Sequence, residues 1–309
     1  MNKASPRAAR DRMKAEQLRQ QRRRQQIKLF TIIGSAVVIL VLVVGGGYLY
    51  GVQDENGGEF EGELAPQVLQ EDGSVVMAAE DAQAPVVESY SDFQCPACQD
   101  FEEVNAATLD ELAADGAAIV HLRPVSIFAT QDETLGANSL RAGAAARAAA
   151  DHDRYVEYSE LLWQNQPGQG AEGFAPEDLV EWGTEVGIDD SAFADRVEAE
   201  SELVDRFYDD SADVDLNGSY VQEILEATAA VNERYPSGGA DEFVGTPSVY
   251  VNGELLGDEI YSSGGLNSAV EDAEPGSVDT QPADDSATQT PDADEGTEDD
   301  DSADDADDD

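Results

Sequence analysis

The chain has 309 residues, of which 67 are acidic and 17 are basic, so its formal net charge is −50. A surface this acidic repels nucleic acid and anionic lipid, and we therefore exclude nucleic-acid binding as its function. Only two cysteines are present, and they stand three residues apart.

The first 50 residues predict a membrane anchor. Residues 1–28 carry ten of the seventeen basic residues, and the 22 residues Leu29–Tyr50 carry no charge. At about 1.5 Å per residue such a stretch spans a bilayer, and the positive-inside rule keeps its basic flank in the cytoplasm. We predict a basic cytoplasmic tail at 1–28 and a transmembrane signal anchor at 29–51. A cleavable signal peptide is the alternative.

The remainder of the chain is then expected on the outer side of the membrane. Residues 52–72 are rich in Gly and Glu and predict a flexible linker. Residues 273–309 contain almost no apolar side chains and predict a disordered acidic tail. The 200 residues between them, 73–272, are long enough for one sizeable core.

Hydrophobic periodicity in 73–272 indicates an α/β fold. Strands are predicted at Ser74–Met77 and Val86–Tyr90, a helix at Cys95–Ala114, and a strand at Ala118–Leu122. A helical block over about 131–235 follows, with segments at Leu140–Trp163, from Pro176 to before Gly187, at Phe193–Phe207 and at Val221–Val231. Ser248–Val251, Asn252-Gly253 and Glu254–Leu256 predict a hairpin with a type I′ turn. The aromatic stripe at Tyr155 and Tyr158 is interpreted as core packing.

The two cysteines point to redox chemistry. Cys95 follows a predicted strand, and Pro96 suits the first position of a helix. Free N–H groups and the helix dipole at that end favour the thiolate of Cys95, and Cys98 lies one turn away, where it can resolve a mixed disulfide. Zinc binding is disfavoured because His121 and His152 lack ligand spacing, and a structural disulfide would close too small a loop to stabilise the fold.

Three sequence segments resemble the DsbA-like branch of the thioredoxin superfamily. They are the run Ser91–Cys98, the helix containing Tyr155, Tyr158, Leu161 and Leu162 with Gln166-Pro167 after it, and the run Val244–Gly253. The resemblance covers about two-thirds of the chain. It implies a thioredoxin fold with an inserted helical domain, preceded here by one transmembrane helix.

The resemblance also implies roles for individual residues. Cys95 is the attacking thiol, Cys98 the buried resolving thiol, and Thr246-Pro247 a cis-proline loop beside them that binds clients. Phe93, Pro96 and Ala97 support the site.

This chain departs from the family pattern near the cysteines. Ala97 replaces the histidine of strongly oxidising relatives, and Ser89 replaces a glutamate, with Glu88 on the opposite strand face. Asp92, Glu102 and Glu103 add negative charge, so we expect a milder oxidant. His121 is interpreted as a core histidine.

The resulting hypothesis is a membrane-anchored thiol–disulfide oxidoreductase that donates disulfides to exported, cysteine-containing proteins. By resemblance, a quinone-linked membrane oxidase of the DsbB or VKOR type reoxidises it, and no cofactor or metal is bound by the chain itself. Two alternatives remain open. One is a reductase or isomerase with the same site, and the other is a binding or chaperone module without turnover.

Overall fold

The structure is a computed structural model that describes residues 60–131, 133–209, 214–262 and 264–278. The predicted cytoplasmic tail 1–28, the predicted anchor 29–51, linker residues 52–59 and tail residues 279–309 lie outside the described residues. Among the helices in these ranges, none combines the length and apolar character needed to cross a membrane.

Six strands form one mixed sheet in the order β1-β2-β4-β3-β5-β6. Their bounds are β1 (Gln67–Leu69), β2 (Val75–Met77), β3 (Val86–Ser91), β4 (Ile119–Pro124), β5 (Ser248–Val251) and β6 (Glu254–Leu255). The β3–β4 pair is parallel and the other neighbouring pairs are antiparallel. All six residues of β3 are buried, so this strand is at the centre of the core.

The described ranges contain seven α-helices and one 3₁₀ turn. Their bounds are α1 (Pro96–Ala114), α2 (Glu133–Ala150), α3 (Tyr155–Gln164), α4 (Pro176–Glu185), α5 (Ser191–Phe207), α6 (Tyr220–Arg234), the 3₁₀ turn (Asp258–Tyr261) and α7 (Gly265–Glu271). α1 connects the parallel strands β3 and β4. Helices α2 to α6 are inserted between β4 and β5, which confirms the predicted α/β thioredoxin-like fold with a helical block.

The inserted helices have their own core. α2 is rich in alanine and packs against α5 and α6, and its small side chains allow close approach. Tyr155 and Tyr158 on α3 are buried in the same cluster as Phe193 of α5, so the interpretation of the aromatic stripe as core packing is confirmed. The sheet packs on α1 and α7 through a separate cluster that includes Val87, Phe101 and Leu266.

The hairpin follows directly from its turn residues. Asn252 and Gly253 have φ angles of 51° and 86°. Both central residues of a type I′ turn need positive φ, and asparagine and glycine adopt it most readily. The turn pairs Val251 with Glu254, as predicted.

Several bounds differ from the predictions. Gln67–Leu69, assigned to the linker, forms the edge strand β1 and pairs with β2. The helical segment Leu140–Trp163 is two helices, because the chain turns at Asp153, whose φ is 56°. α7 was not predicted, since its seven residues are too few to show a clear period.

The start of the predicted tail contacts the domain. The Gly276 N–H donates to the Ala84 carbonyl at 3.0 Å, and Asn252 Nδ2 donates to the Glu274 carbonyl at 2.7 Å. Residues 273–276 therefore belong to the folded domain. The composition of the tail could not show this, because both bonds use backbone groups of the tail, which depend little on its side chains.

Candidate active site

The sheet brings the cysteine segment and the proline loop together. β5 runs antiparallel to β3, and Tyr90 near the end of β3 is paired with Ser248 at the start of β5. The residues after β3 and those before β5 must therefore lie at the same edge of the sheet. Cys95 Sγ is 3.2 Å from the Thr246 carbonyl oxygen. The Thr246–Pro247 peptide bond is cis, as the resemblance implies.

A tight turn places Cys95 at the N-cap of α1. Its N–H donates to the Asp92 carbonyl at 2.8 Å, and its own carbonyl accepts from Cys98 and Gln99 N–H groups at 3.1 and 3.2 Å. Its backbone is extended, with φ −86° and ψ 117°, and Pro96 occupies the first helical position. Proline costs no hydrogen bond there, because that N–H has no partner within the helix.

The two sulfurs differ in burial and in acidity. Both cysteines are free thiols, and Cys98 is fully buried whereas Cys95 is 6% exposed. The pKa of Cys95 is lowered, first by the hydrogen bond from the Cys98 thiol and then by the Thr246 side chain and backbone N–H groups at the start of α1. The pKa of Cys98 is raised, chiefly by burial. Cys95 is therefore the group suited to attack.

The acidic residues oppose the thiolate less than their number suggests. Burial raises the pKa of Asp92 to about 6 and desolvation raises that of Glu102 to about 8. Near neutral pH, Glu102 is therefore largely uncharged, whereas Asp92 still carries most of its negative charge. The N-terminal donors and Cys98 outweigh them, and the pKa of Cys95 moves down overall.

Asp92 joins three segments behind the cysteines. It is fully buried, and its Oδ1 accepts from the Gln94 N–H at 2.9 Å and from the Ser139 hydroxyl of α2 at 2.7 Å. Its Oδ2 accepts from the Phe128 N–H at 3.4 Å. From the sequence alone, Asp92 is expected only as a charge near the sulfur, since its contacts with Ser139 and Phe128 come from segments more than 30 residues away.

The helical insertion supports the cysteine turn. Phe93 packs on Trp163 of α3 with ring centroids 4.4 Å apart. Gln166 Nε2 donates to the carbonyls of Phe93 and Cys95 at 2.9 and 3.1 Å. Ala97 packs against the same core. The sequence identifies Gln166 only as part of the resemblance. Its hydrogen bonds to the cysteine turn are visible only in the tertiary structure.

Glu88 and His121 are structural residues of the sheet. Glu88 is buried, and Arg234 donates to its Oε1 at 2.6 Å while the Tyr90 hydroxyl donates to its Oε2 at 3.0 Å. Arg123 Nε lies 3.4 Å from the same Oε2. His121 is fully buried, with Nε2 2.6 Å from the Ser74 hydroxyl, as expected for a core histidine. Within the described ranges, no group of three or more His, Cys, Asp or Glu residues is placed to hold a metal ion.

The structure has a βαβ unit with a dithiol at the N-terminus of its helix. A cis-proline loop before the antiparallel strand β5 faces this dithiol. Together these features define a thioredoxin-fold protein. The chain belongs to the Thioredoxin family, whose sequence pattern matches residues 71–272. No curated protein sequence matches the chain at a significant level.

Solved structures with a similar fold include three bacterial proteins. MdbA from Corynebacterium diphtheriae, described as a thiol-disulfide oxidoreductase, is 21% identical with a TM-score of 0.48, over 65% of this chain and 93% of that one. Reduced DsbA from Mycobacterium tuberculosis is 22% identical with a TM-score of 0.47, over 64% and 98%. Oxidised BdbD from Bacillus subtilis is 16% identical with a TM-score of 0.47, over 68% and 97%. The family assignment rests on the match over residues 71–272, not on these likenesses.

Proposed function

We propose that the protein is a thiol–disulfide oxidoreductase that donates disulfides to exported proteins. The observation that carries the proposal is the placement of Cys95. Its sulfur lies at the N-terminus of α1 and beside the Thr246 carbonyl, and its pKa is lowered while that of Cys98 is raised. One thiol is thus suited to exchange with clients and the other to resolve the intermediate.

The cycle begins with the oxidised Cys95–Cys98 pair. A client thiolate attacks Cys95 Sγ, the Cys95–Cys98 bond breaks, and Cys98 takes the electron pair as a thiolate that is then protonated. A second client thiolate attacks the client sulfur of the mixed disulfide and expels Cys95 as a thiolate. The client loses two electrons and the protein ends as a dithiol.

The lowered pKa of Cys95 favours this direction. A thiol of low pKa is a better leaving group, and stabilising its thiolate stabilises the reduced protein, which makes the disulfide more oxidising. Ala97 offers no ring to the thiolate, and the remaining charge of Asp92 opposes it. The proposed potential is therefore less oxidising than that of relatives with a histidine at the Ala97 position.

Location and partners are part of the same proposal. The basic segment 1–28 and the uncharged stretch Leu29–Tyr50 support a single-pass anchor, with the catalytic domain outside a bacterial plasma membrane. There it would meet exported proteins before their thiols pair, and a quinone-linked membrane oxidase of the DsbB or VKOR type would reoxidise it. In intact cells, a membrane-impermeant maleimide should label Cys95 after mild reduction. Labelling that requires lysis contradicts the proposed topology.

Two measurements test the proposed activity. The full-length oxidised protein should oxidise a dithiol peptide, and Cys95→Ser should abolish the reaction. Cys98→Ser, given the peptide as a disulfide, should attack it through the Cys95 thiolate, expel one peptide thiolate and remain as a mixed disulfide on a non-reducing gel. The reduction potential of the pair, measured against glutathione, separates a donor from a reductase. A value near the −270 mV typical of thioredoxin would contradict disulfide donation. Thiol–disulfide exchange at Cys95 without oxidation of the dithiol peptide would favour the reductase or isomerase alternative.

A further inference from the structure

Two backbone carbonyls of the cysteine turn accept from one side chain of the inserted helical block. Gln166 Nε2 donates to the Phe93 carbonyl at 2.9 Å and to the Cys95 carbonyl at 3.1 Å. Only the amide nitrogen of a glutamine side chain can donate, so these two acceptors also fix which way the amide is turned. Gln166 therefore joins the residues on both sides of Gln94 to the segment that follows α3.

Two more glutamines donate in the opposite direction, from the cysteine segment to the end of α3. Gln94, which is fully buried, donates from Nε2 to the Pro167 carbonyl at 2.8 Å. Gln99 on α1 donates from Nε2 to the Trp163 carbonyl at 2.7 Å. We call Gln94, Gln99 and Gln166 the glutamine clasp. Its donors are neutral amides and its acceptors are backbone carbonyls, so the clasp is kept over the pH range in which the thiols titrate.

The helix that precedes Gln166 is held at its other end as well. Gln67 of β1 accepts from the Val156 N–H at 2.9 Å through Oε1 and donates to Glu157 at 2.7 Å through Nε2. The first of these bonds satisfies an N–H of the first turn of α3, where the N-cap residue Arg154 supplies no side-chain cap. Gln67 and Gln166 are both half-buried and each makes two hydrogen bonds, but only those of Gln166 reach the cysteine turn.

The clasp acts on the residue whose backbone sets the position of the attacking sulfur. The Cys95 carbonyl accepts from the N–H groups of Cys98 and Gln99 and from the side chain of Gln166. Of these three donors, Gln166 alone lies outside the helix that starts after Cys95. The pKa of Cys95 is lowered first by the Cys98 thiol and then, among others, by the N–H groups of Cys98 and Ala97. The alignment of these groups with Sγ depends on how the Cys95 backbone is turned, because hydrogen bonds weaken steeply away from linear geometry.

We propose that Gln166 is a positioning residue of the exchange reaction, which holds the Cys95 turn in the geometry that stabilises the thiolate. Gln94 and Gln99 hold the same two segments together with bonds of the opposite direction. Loss of the Gln166 amide would keep the α1 bonds to the Cys95 carbonyl but would leave the Phe93 carbonyl without this donor. The inference rests on the proposed function, because it concerns the same attacking thiol. It is tested on the thiolate itself, so its outcome is separate from the oxidation of clients.

The test compares Gln166→Met with Gln67→Met in the full-length protein. Methionine has nearly the length and volume of glutamine but no amide, so each variant loses two hydrogen bonds at one end of α3 with little change in packing. Gln67→Met is the matched control, because its bonds are at the end of α3 away from the cysteine turn. Gln99→Met, which removes one clasp bond, is the second variant. The pH dependence of iodoacetamide modification gives the thiolate midpoint of Cys95, and equilibration with glutathione gives the redox equilibrium constant.

In Gln166→Met we expect the thiolate midpoint of Cys95 to rise by about half a pH unit, which is about threefold in its acid dissociation constant. A less stable thiolate makes the disulfide a weaker oxidant. The equilibrium with glutathione should therefore shift about threefold toward the oxidised protein, which corresponds to a reduction potential about 14 mV lower. Gln99→Met should shift both quantities in the same direction by less. Gln67→Met should destabilise the fold about as much as Gln166→Met does, and it should leave the midpoint and the glutathione equilibrium unchanged.

An unchanged midpoint and glutathione equilibrium in a folded Gln166→Met protein would overturn the inference, since Gln166 would then only stabilise the fold. Equal shifts in Gln166→Met and Gln67→Met would overturn it as well, because the effect would then come from α3 as a whole. If Gln166→Met does not fold, Gln99→Met decides: a raised midpoint supports the inference and an unchanged one overturns it. If the shifts appear as expected but the wild type oxidises no dithiol peptide, the positioning role stands and disulfide donation fails.

Discussion

Replacing Asp92 by asparagine should stabilise the folded protein near neutral pH. Burial raises the pKa of Asp92 from 3.8 to about 6, so ionising this group costs more in the folded state than in the unfolded chain. A difference of about two pKa units corresponds to about 3 kcal/mol of unfolding free energy at full ionisation. Asparagine removes that cost and keeps an oxygen to accept from Gln94 and Ser139.

The sign of the pH dependence follows from the raised pKa. The folded state binds the proton more tightly than the unfolded state, so this carboxyl group is stabilising below pH 3.8, and the stabilisation is lost as pH rises through about 6. The advantage of Asp92→Asn over the wild type should therefore grow with pH. About 1.5 kcal/mol of it should develop between pH 5 and pH 8. Asparagine also loses the weak hydrogen bond from the Phe128 N–H, because the amide nitrogen that replaces Oδ2 cannot accept it. This loss slightly reduces the gain in stability.

Urea unfolding of the reduced protein at pH 5, 6, 7 and 8 measures this difference. Asp178→Asn, at an exposed position on α4, is the control and should change the free energy of unfolding by less than about 0.5 kcal/mol at each pH. An Asp92→Asn variant that is less stable than wild type by the same amount at every pH would refute the reasoning. It would mean that the carboxylate charge is compensated and that its hydrogen bonds outweigh its desolvation.

The same substitution should make the dithiol more oxidising. Asp92 and Cys95 interact as like charges when both are ionised. Removing the carboxylate should therefore lower the pKa of Cys95 further and raise the reduction potential. Titration of the thiolate by its ultraviolet absorbance and equilibration with glutathione would measure both shifts, and an unchanged thiolate pKa would contradict the assigned coupling.

Three further predictions concern the thiols, the tail and the buried ion pair. Iodoacetamide should modify Cys95 far faster than Cys98 in the reduced protein, and the pH midpoint of the Cys95 reaction should lie below the pKa of ~8.5 of a free thiol. Mass spectrometry would map the adducts, and faster modification of Cys98 would reverse the assignment. Deleting 279–309 should leave the melting temperature nearly unchanged. Deleting 273–309 should lower it by several degrees, because the Gly276–Ala84 backbone bond, the bond from the Asn252 side chain to the Glu274 carbonyl and a core contact are lost. Glu88→Ala should lower the free energy of unfolding by about 3–5 kcal/mol, because it leaves the Arg234 charge without its carboxylate partner. Urea titration would measure this loss. A loss below about 1 kcal/mol would show that the Glu88–Arg234 pair is not held in the core.

Much of the site could be predicted from local sequence because its features are local. Three features each determine structure over only a few residues. They are the proline after the first cysteine, the β-branched run before it, and the Asn-Gly pair near the end of the domain. Steric restriction of φ, helix N-terminal donors and period-two alternation require no knowledge of distant segments. The helix after Cys95, strand β3 and the hairpin therefore match their predicted positions closely.

The order in which the strands pair was decided by tertiary structure. Nothing local in Gln67–Leu69 distinguishes an edge strand from a linker, because its pairing with β2 supplies the backbone partners that define it. The same holds for residues 273–276, whose order comes from carbonyl and amide contacts with distant segments. The composition of a segment indicates how much apolar surface it can bury. It does not indicate which of its backbone groups will be hydrogen-bonded by another strand.

The sequence by itself determined that this chain carries a dithiol at a helix N-terminus on an α/β fold, because residue type and spacing dictate both. Only the tertiary structure decided how acidic each sulfur is. Burial of Cys98 and Asp92, the Thr246 side chain beside Cys95, and the hydrogen bond from Gln166 to the Cys95 carbonyl all depend on segments far apart in the chain. The donors at Cys98 and at the start of α1 are near Cys95 in sequence, so the direction of its pKa shift could be predicted locally. Desolvation and contacts from distant segments are set by packing across the fold, and these decide the size of the shift.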